Sequence, residues 1–107
     1  MNLVILKGNL TRAPETKEIR EDLSITDFGV AVSKRIKKGE EWVNEAEFIE
    51  CKCWKKRGET IANNFDKGDP ILVKGELSIE RWEKDGEKKS KAIVIVNDFE
   101  FCDRKEK

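Results

Sequence analysis

Four aromatic side chains in this 107-residue chain sit where ordinary packing has no use for them. Phe48 and Trp54 flank Lys52 and run straight into Lys55-Lys56-Arg57. Trp82 lies between Arg81 and Lys84, and Trp42 follows the basic run Lys34-Arg35-Ile36-Lys37-Lys38. Burying one ring's apolar area is worth roughly 2–3 kcal/mol, so rings left among charges need another use. A flat ring can stack on a nucleobase while a neighbouring cation meets phosphate. Alternate residues of a β-strand share a face. Read that way, Phe48, Glu50, Lys52 and Trp54 point one way, and Ile49, Cys51 and Cys53 the other. Trp82 shares a face with Lys74, Glu76, Ser78 and Glu80, opposite Val73, Gly75, Leu77 and Ile79. The pattern predicts a groove for single-stranded nucleic acid, floored by the 48–57 segment. Its stacking residues are Phe48, Trp54, Trp82 and Trp42. Its phosphate ligands come from Lys34, Arg35, Lys37, Lys38, Lys52, Lys55, Lys56, Arg57, Arg81, Lys84, Lys88 and Lys89.

A single tryptophan on a polar face more often packs half-buried against lysine stems. Three tryptophans, all in polar stretches beside basic clusters and with no tyrosine in the chain, favour nucleic acid instead. Phe48 belongs to that polar set, whereas Phe28, Phe65, Phe99 and Phe101 have core-like phases.

Enzyme chemistry finds little purchase. The chain has no histidine, which removes the commonest general base and any Ser-His or Cys-His nucleophile pair. No glycine-rich phosphate loop is present. The carboxylates lie among lysines, where a solvated face is the default, so a nuclease is disfavoured. The three cysteines include no C-x-x-C pair, and Cys51 and Cys53 read as small buried hydrophobes. A metal site takes about four ligands, so neither metal nor cofactor is expected. Lysine plus arginine (22) balances aspartate plus glutamate (22), so only the distribution of charge can argue for a polyanion. No apolar run approaches the roughly 20 residues of a membrane span. The first residues read as a strand rather than a signal peptide, and the expected location is the cytoplasm.

The elements that must position these residues follow in order. Residues 3–10 are a strand with a bulge or bend at Gly8-Asn9, and Ala13-Pro14 an extended or turn segment. Residues 15–23 are heavily charged; helical charge pairing can be argued there, and strand or loop fits equally. Alternation resumes over 24–33, with Phe28, Val30 and Val32 inward. The basic run 34–38 and Gly39 read as a long hairpin tip. After the 48–54 strand, Gly58 closes the section, and Ile61 and Phe65, four apart, mark a short helix that stops at Lys67-Gly68. A strand from Ile71 to Trp82, a turn at Lys84-Asp85-Gly86-Glu87 and a strand from Ala92 to Phe101 complete the chain. On the last strand Ile93, Ile95, Phe99 and Phe101 are taken to share the core face. The sum is an all-β fold: a five-stranded OB-type barrel, one short helix between its third and fourth strands, and long basic hairpins. One domain spans 1–102, and 103–107 form a short charged tail.

Several of these segments also carry a resemblance. Asn2 to Leu10 with Ala13-Pro14, Phe28 to Ser33, Glu47 to Trp54, and Lys67-Gly68-Asp69 through Gly75-Glu76-Leu77 to Arg81-Trp82 stand in order and at fitting intervals. Together they resemble bacterial-type single-stranded DNA-binding proteins, an OB-fold family that coats exposed strands in replication, recombination and repair. The resemblance implies sequence-tolerant binding of single-stranded DNA by a homotetramer, with a dimer as the lesser assembly. It implies no enzyme activity and a cytoplasmic, nucleoid-associated location, or the host cytoplasm for a viral member. The family stacks bases at four places, which carry over onto Ile36, Phe48, Trp54 and Trp82. Ile36 departs from the pattern, and Trp42, further along the same hairpin, is the candidate substitute. Family members usually end in a flexible linker and an acidic tip that recruits replication and repair proteins, whereas this sequence ends Asp-Arg-Lys-Glu-Lys. The resemblance therefore implies a tail-less or truncated form, or a viral variant that recruits partners differently. The rivals are an OB-fold adaptor of primosome or recombination type and a single-stranded RNA binder.

Overall fold

The structure, a computed structural model, describes residues 1–102; the expected tail at 103–107 lies outside the described residues. Among the described residues are six strands and one helix: β1 (Val4–Leu10), β2 (Glu15–Arg20), β3 (Leu23–Lys38), β4 (Glu41–Trp54), α1 (Lys55–Asn64), β5 (Pro70–Lys84) and β6 (Glu87–Phe101). The strands order as β1-β5-β6-β4-β3-β2, and β1 also pairs with β3. That extra pairing closes β1, β5, β6, β4 and β3 into a ring, the expected five-stranded barrel.

The closure lies at Asn9, which faces Pro70 on β5 and Ala31 on β3. Gly8 makes this possible: a Cβ there would collide with the Ala31 carbonyl. Of the bulge or bend expected at Gly8-Asn9, the β1–β5 register shows no bulge, and β1 runs on while it changes partner. The sixth strand is the charged 15–23 segment. β2 is exposed throughout and hangs outside the ring on β3, turning at Asp22 with φ 64°.

The core holds Leu10, Phe28, Val30, Cys51, Cys53, Ile61, Phe65, Ile71, Val73, Val94 and Val96. On β6 this corrects the expected phase. Val94 and Val96 point inward with Gly75, while Ile93 and Ile95 lie on the outer face. A register shift between Lys74 and Gly75 leaves Asn97 as an extra residue. The extra residue swaps faces, as a β-bulge does, so beyond it Phe99 and Phe101 stand opposite Val73 and Ile71. Phe101 is nonetheless 59% exposed, stacked on the buried Phe65 ring at a centroid distance of 4.9 Å.

The helix begins earlier than its Ile61–Phe65 spacing suggested. Gly58, read as a break, is inside α1 because the helix touches the barrel there: a Cβ would strike the Cys53 carbonyl and the Thr26 side chain. Ser24 Oγ donates to Glu59 at 2.8 Å and helps hold the helix against β3. The helix stops at Asn64 rather than at Lys67-Gly68, because Phe65 turns extended with its ring buried. Gly68, at φ 90°, serves the next turn, and its N–H donates to the Leu10 carbonyl.

Both hairpin arms run past the barrel. The basic 34–38 stretch is strand, and the tip of its arm is Gly39-Glu40. The β5–β6 arm turns through Asp85 and Gly86, both with positive φ (52° and 79°), as a two-residue type I′ turn requires.

Candidate nucleic-acid interface

Strand register decides which side chains share a surface. On β4, Trp42, Phe48, Lys52 and Trp54 are all even-numbered positions and point outward. Lys52 lies beside Ile95 of β6 in the parallel β4–β6 pairing, and Ile95 lies beside Glu76 of β5. Trp82, in phase with Glu76, Ser78 and Glu80, therefore emerges on the same outer face, opposite Lys89. The outside of the β4–β6–β5 sheet thus carries Phe48, Trp54 and Trp82, with Trp42 on the arm that continues β4. All four rings are exposed, from 42% for Trp54 and Trp82 to 73% for Phe48. The interior that keeps them out is filled from the other face of β4, by Cys51 and Cys53.

Phe48 and Trp54 are six residues apart on one strand, about 20 Å at about 3.4 Å per residue. Trp42 stands the same step beyond Phe48. Trp42 faces Lys37 across the hairpin, and Arg35 lies over its ring at 5.3 Å with Lys37 at 6.0 Å. Cation–π contacts of this kind fix an exposed indole without burying it. Ile36 pairs with Val43 and points to the other side of the ribbon.

The expected phosphate ligands divide by face. Arg35, Lys37, Lys52, Lys84 and Lys89 share the face of the rings, whereas Lys34, Lys38, Arg81 and Lys88 occupy the opposite one. Lys34 and Lys38 are held there by Glu47 at 3.6 Å and Glu45 at 3.0 Å. Lys89 contacts Glu87 at 3.8 Å. Lys55, Lys56 and Arg57 are exposed on the first turn of α1 rather than on β4. With Trp54 and Leu23 they line an open recess of about 680 Å³. Lys55 itself, at φ 60°, makes the sharp turn from strand to helix that brings those cations beside the Trp54 ring.

Two cations of this face escaped the sequence reading. Arg12, from the segment after β1, crosses Gly29 and makes a bidentate pair with Glu50 at 3.0 and 3.2 Å. The hydrogen bond to Glu50 raises the Arg12 pKa above its ordinary value. Lys91 lies on the outer face opposite Glu80, 3.9 Å from its carboxylate. Arg12 stands apart from the basic clusters, and only the glycine at position 29, within the apolar stretch from Phe28 to Val32, hints that something crosses there. Lys91 follows Lys88 and Lys89 on the same strand, and which face it takes depends on the register of β6.

No group of three or more metal-ligating side chains gathers among the described residues. No helix among them is long and apolar enough to cross a membrane.

Comparison with known proteins gives a consistent set of relatives. The model of the "single-strand binding protein family" matches residues 1–102. The single-stranded DNA-binding protein of Treponema pallidum is 38% identical over 101 residues, covering 94% of this chain and 57% of the relative. Single-stranded DNA-binding protein 2 of Streptococcus agalactiae is 37% identical, covering 95% of this chain and 77% of the relative. Among solved structures, a deletion mutant of the single-stranded DNA binding protein from Thermus aquaticus superimposes with a TM-score of 0.83 at 27% identity. It covers 96% of this chain and 51% of its own. The small single-stranded DNA-binding protein from Streptomyces coelicolor shares the fold, with a TM-score of 0.75 at 18% identity and coverage of 94% and 93%.

Proposed function

The chain belongs to the single-strand binding protein family, and from that premise we propose that it binds single-stranded DNA without sequence preference. The observation that carries the reading is the shared outer face: Phe48, Trp54 and Trp82 exposed on one sheet, with Trp42 on its extension. Each ring stacks on a base, and stacking is sequence-tolerant because every base has a π-face; each contact is worth about 1–3 kcal/mol. Arg35 and Lys37 beside Trp42, Lys55, Lys56 and Arg57 beside Trp54, Lys89 opposite Trp82 and Lys84 beyond it meet the phosphates. Counterion release then makes affinity fall as salt rises. A duplex hides its base faces and so offers the rings nothing. The role is to coat and protect exposed strands in the cytoplasm during replication, recombination and repair. The family is one of binding proteins rather than enzymes.

Assembly into a homotetramer belongs to the same proposal. Leu77 and Ile79 on β5 are large apolar side chains 48% and 40% exposed on the face opposite Trp82, and Leu3, just before β1, and Ile5, within it, are 52% and 57% exposed on the face of Lys74. Large apolar side chains left exposed on one face of a strand, as Leu77 and Ile79 are, fit an interaction surface. Asn2 ties the start of β1 to this region, donating to the Leu77 carbonyl and accepting from its N–H, both at 2.8 Å.

Anisotropy of a labelled deoxythymidine oligomer, with unlabelled competitors, tests the binding. Single-stranded DNA should compete at near-equal concentration, and duplex of the same length should not. Equal competition by duplex would defeat the stacking argument, and preferential competition by RNA would reassign the substrate. Sedimentation of the free protein tests the assembly.

A further inference from the structure

We propose that Glu80 limits affinity for the DNA strand by competing with phosphate for Lys52 and Lys91. This rests on the strand-binding reading above and concerns the same face. Lys52 stands two residues before Trp54, and Glu80 two before Trp82. Their ion pair, at 2.5 Å, spans β6 between the rings, and Lys91 approaches the same carboxylate at 3.9 Å. The line from Lys52, beside Ile95, to Glu80, opposite Lys91, passes over Ile93, which is 2% exposed although it lies on the outer face. Lys52 is also flanked by Asp27, its register partner on β3. The floor between Trp54 and Trp82 is therefore already neutralised by the protein's own carboxylates.

A phosphate reaching that floor has to displace Glu80. The exchange replaces one anionic partner of Lys52 by another and leaves a carboxylate facing a polyanion. Exposed cations on the rim, such as Lys56 and Arg57, take phosphate with no such exchange. Glu80 thus keeps the strand held mainly by its bases and by the rim, and lets the centre of the site release it.

The test compares E80Q with wild type in titrations of a deoxythymidine oligomer at several salt concentrations. The substituted amide keeps an acceptor for Lys52 but not the charge. The expected result is binding about 5–10-fold tighter at low salt. The slope of log affinity against log salt should steepen by about 0.7 for each lysine freed. E83Q makes the same change in net charge on the opposite face of β5, and E80D keeps the charge; both should stay near wild type. A second measurement stands even if E80Q is less stable: K52Q should cost little alone and about fivefold in the E80Q background. E80Q binding no tighter than wild type, or an equal gain from E83Q, overturns the proposal. If wild type itself leaves the oligomer unbound at low salt, the strand-binding reading falls as well.

Discussion

Trp42 and Ile36 lie on opposite faces of the β3–β4 ribbon, although only six residues and one tight turn separate them. Ile36 stands where the family resemblance puts an aromatic, but Trp42 points the same way as Phe48 and Trp54. Replacing Trp42 by alanine should weaken binding of a long oligomer by about 1–3 kcal/mol, measured by titration. Ile36→Ala should leave affinity within about twofold. The reverse order would mean the strand runs along the other side of the arm.

The cations of that arm should separate in the same way. Arg35→Gln or Lys37→Gln should flatten the salt dependence by about 0.7 per charge removed. Lys34→Gln and Lys38→Gln, whose lysines pair with Glu47 and Glu45 on the far face, should change the slope much less.

How much of this arrangement the residues announced depends on what kind of information each feature needed. Strand alternation identified the outward rings and the inward cysteines of β4, because a period of two is a local property. It could not tell that the apolar side of β5 outlasts the barrel, so that Val73 is buried while Leu77 and Ile79 are not. Coverage depends on neighbouring strands, not on phase. On β6 one extra residue, Asn97, reversed the phase, and nothing in its identity signals a bulge. The start of α1 was hidden for a different reason. Trp54 makes no side-chain cap, no acidic residue lies in the first turn, and Gly58 resembles a break. Tertiary contact with Cys53 and Thr26, rather than local helix preference, keeps that glycine in the helix. The faces of Arg12 and Lys91 required the folded register itself.

Gly58 supplies a prediction that opposes two effects. Alanine is a better helix former than glycine by about 1 kcal/mol. A Cβ at position 58, however, meets the Cys53 carbonyl and Thr26, and overpacking a tight contact costs about 1–3 kcal/mol. The clash should win, so Gly58→Ala should lower the urea midpoint at unchanged m-value. A stabilised variant would show that α1 packs more loosely on β3 than the structure has it.

The buried thiols give a pH dependence. Burial pushes Cys51 up to about 12, with Glu50 adding to the effect, and pushes Cys53 up to about 11. The folded state therefore holds these protons more tightly than the unfolded chain does. Their contribution to stability is complete below the ordinary thiol value of 9.0 and is lost as pH rises through 11 to 12. Thermal midpoints should fall above pH 9.0, less steeply in a Cys51→Ala, Cys53→Ala variant after correction for its cavity cost. At neutral pH a thiol reagent should label the half-buried Cys102 quickly, and the other two cysteines only on unfolding. Fast labelling of all three would contradict the packing of β4.

The most direct test of the central claim is intrinsic tryptophan fluorescence during titration with an unlabelled deoxythymidine oligomer, in wild type and in Trp54→Phe and Trp82→Phe. Every tryptophan of this chain is on the proposed DNA face, so stacking should quench most of the emission, and each replacement should remove part of that quenching. Duplex of equal length should leave the emission unchanged. Tight binding of the oligomer with no quenching would show that the strand lies elsewhere on the protein.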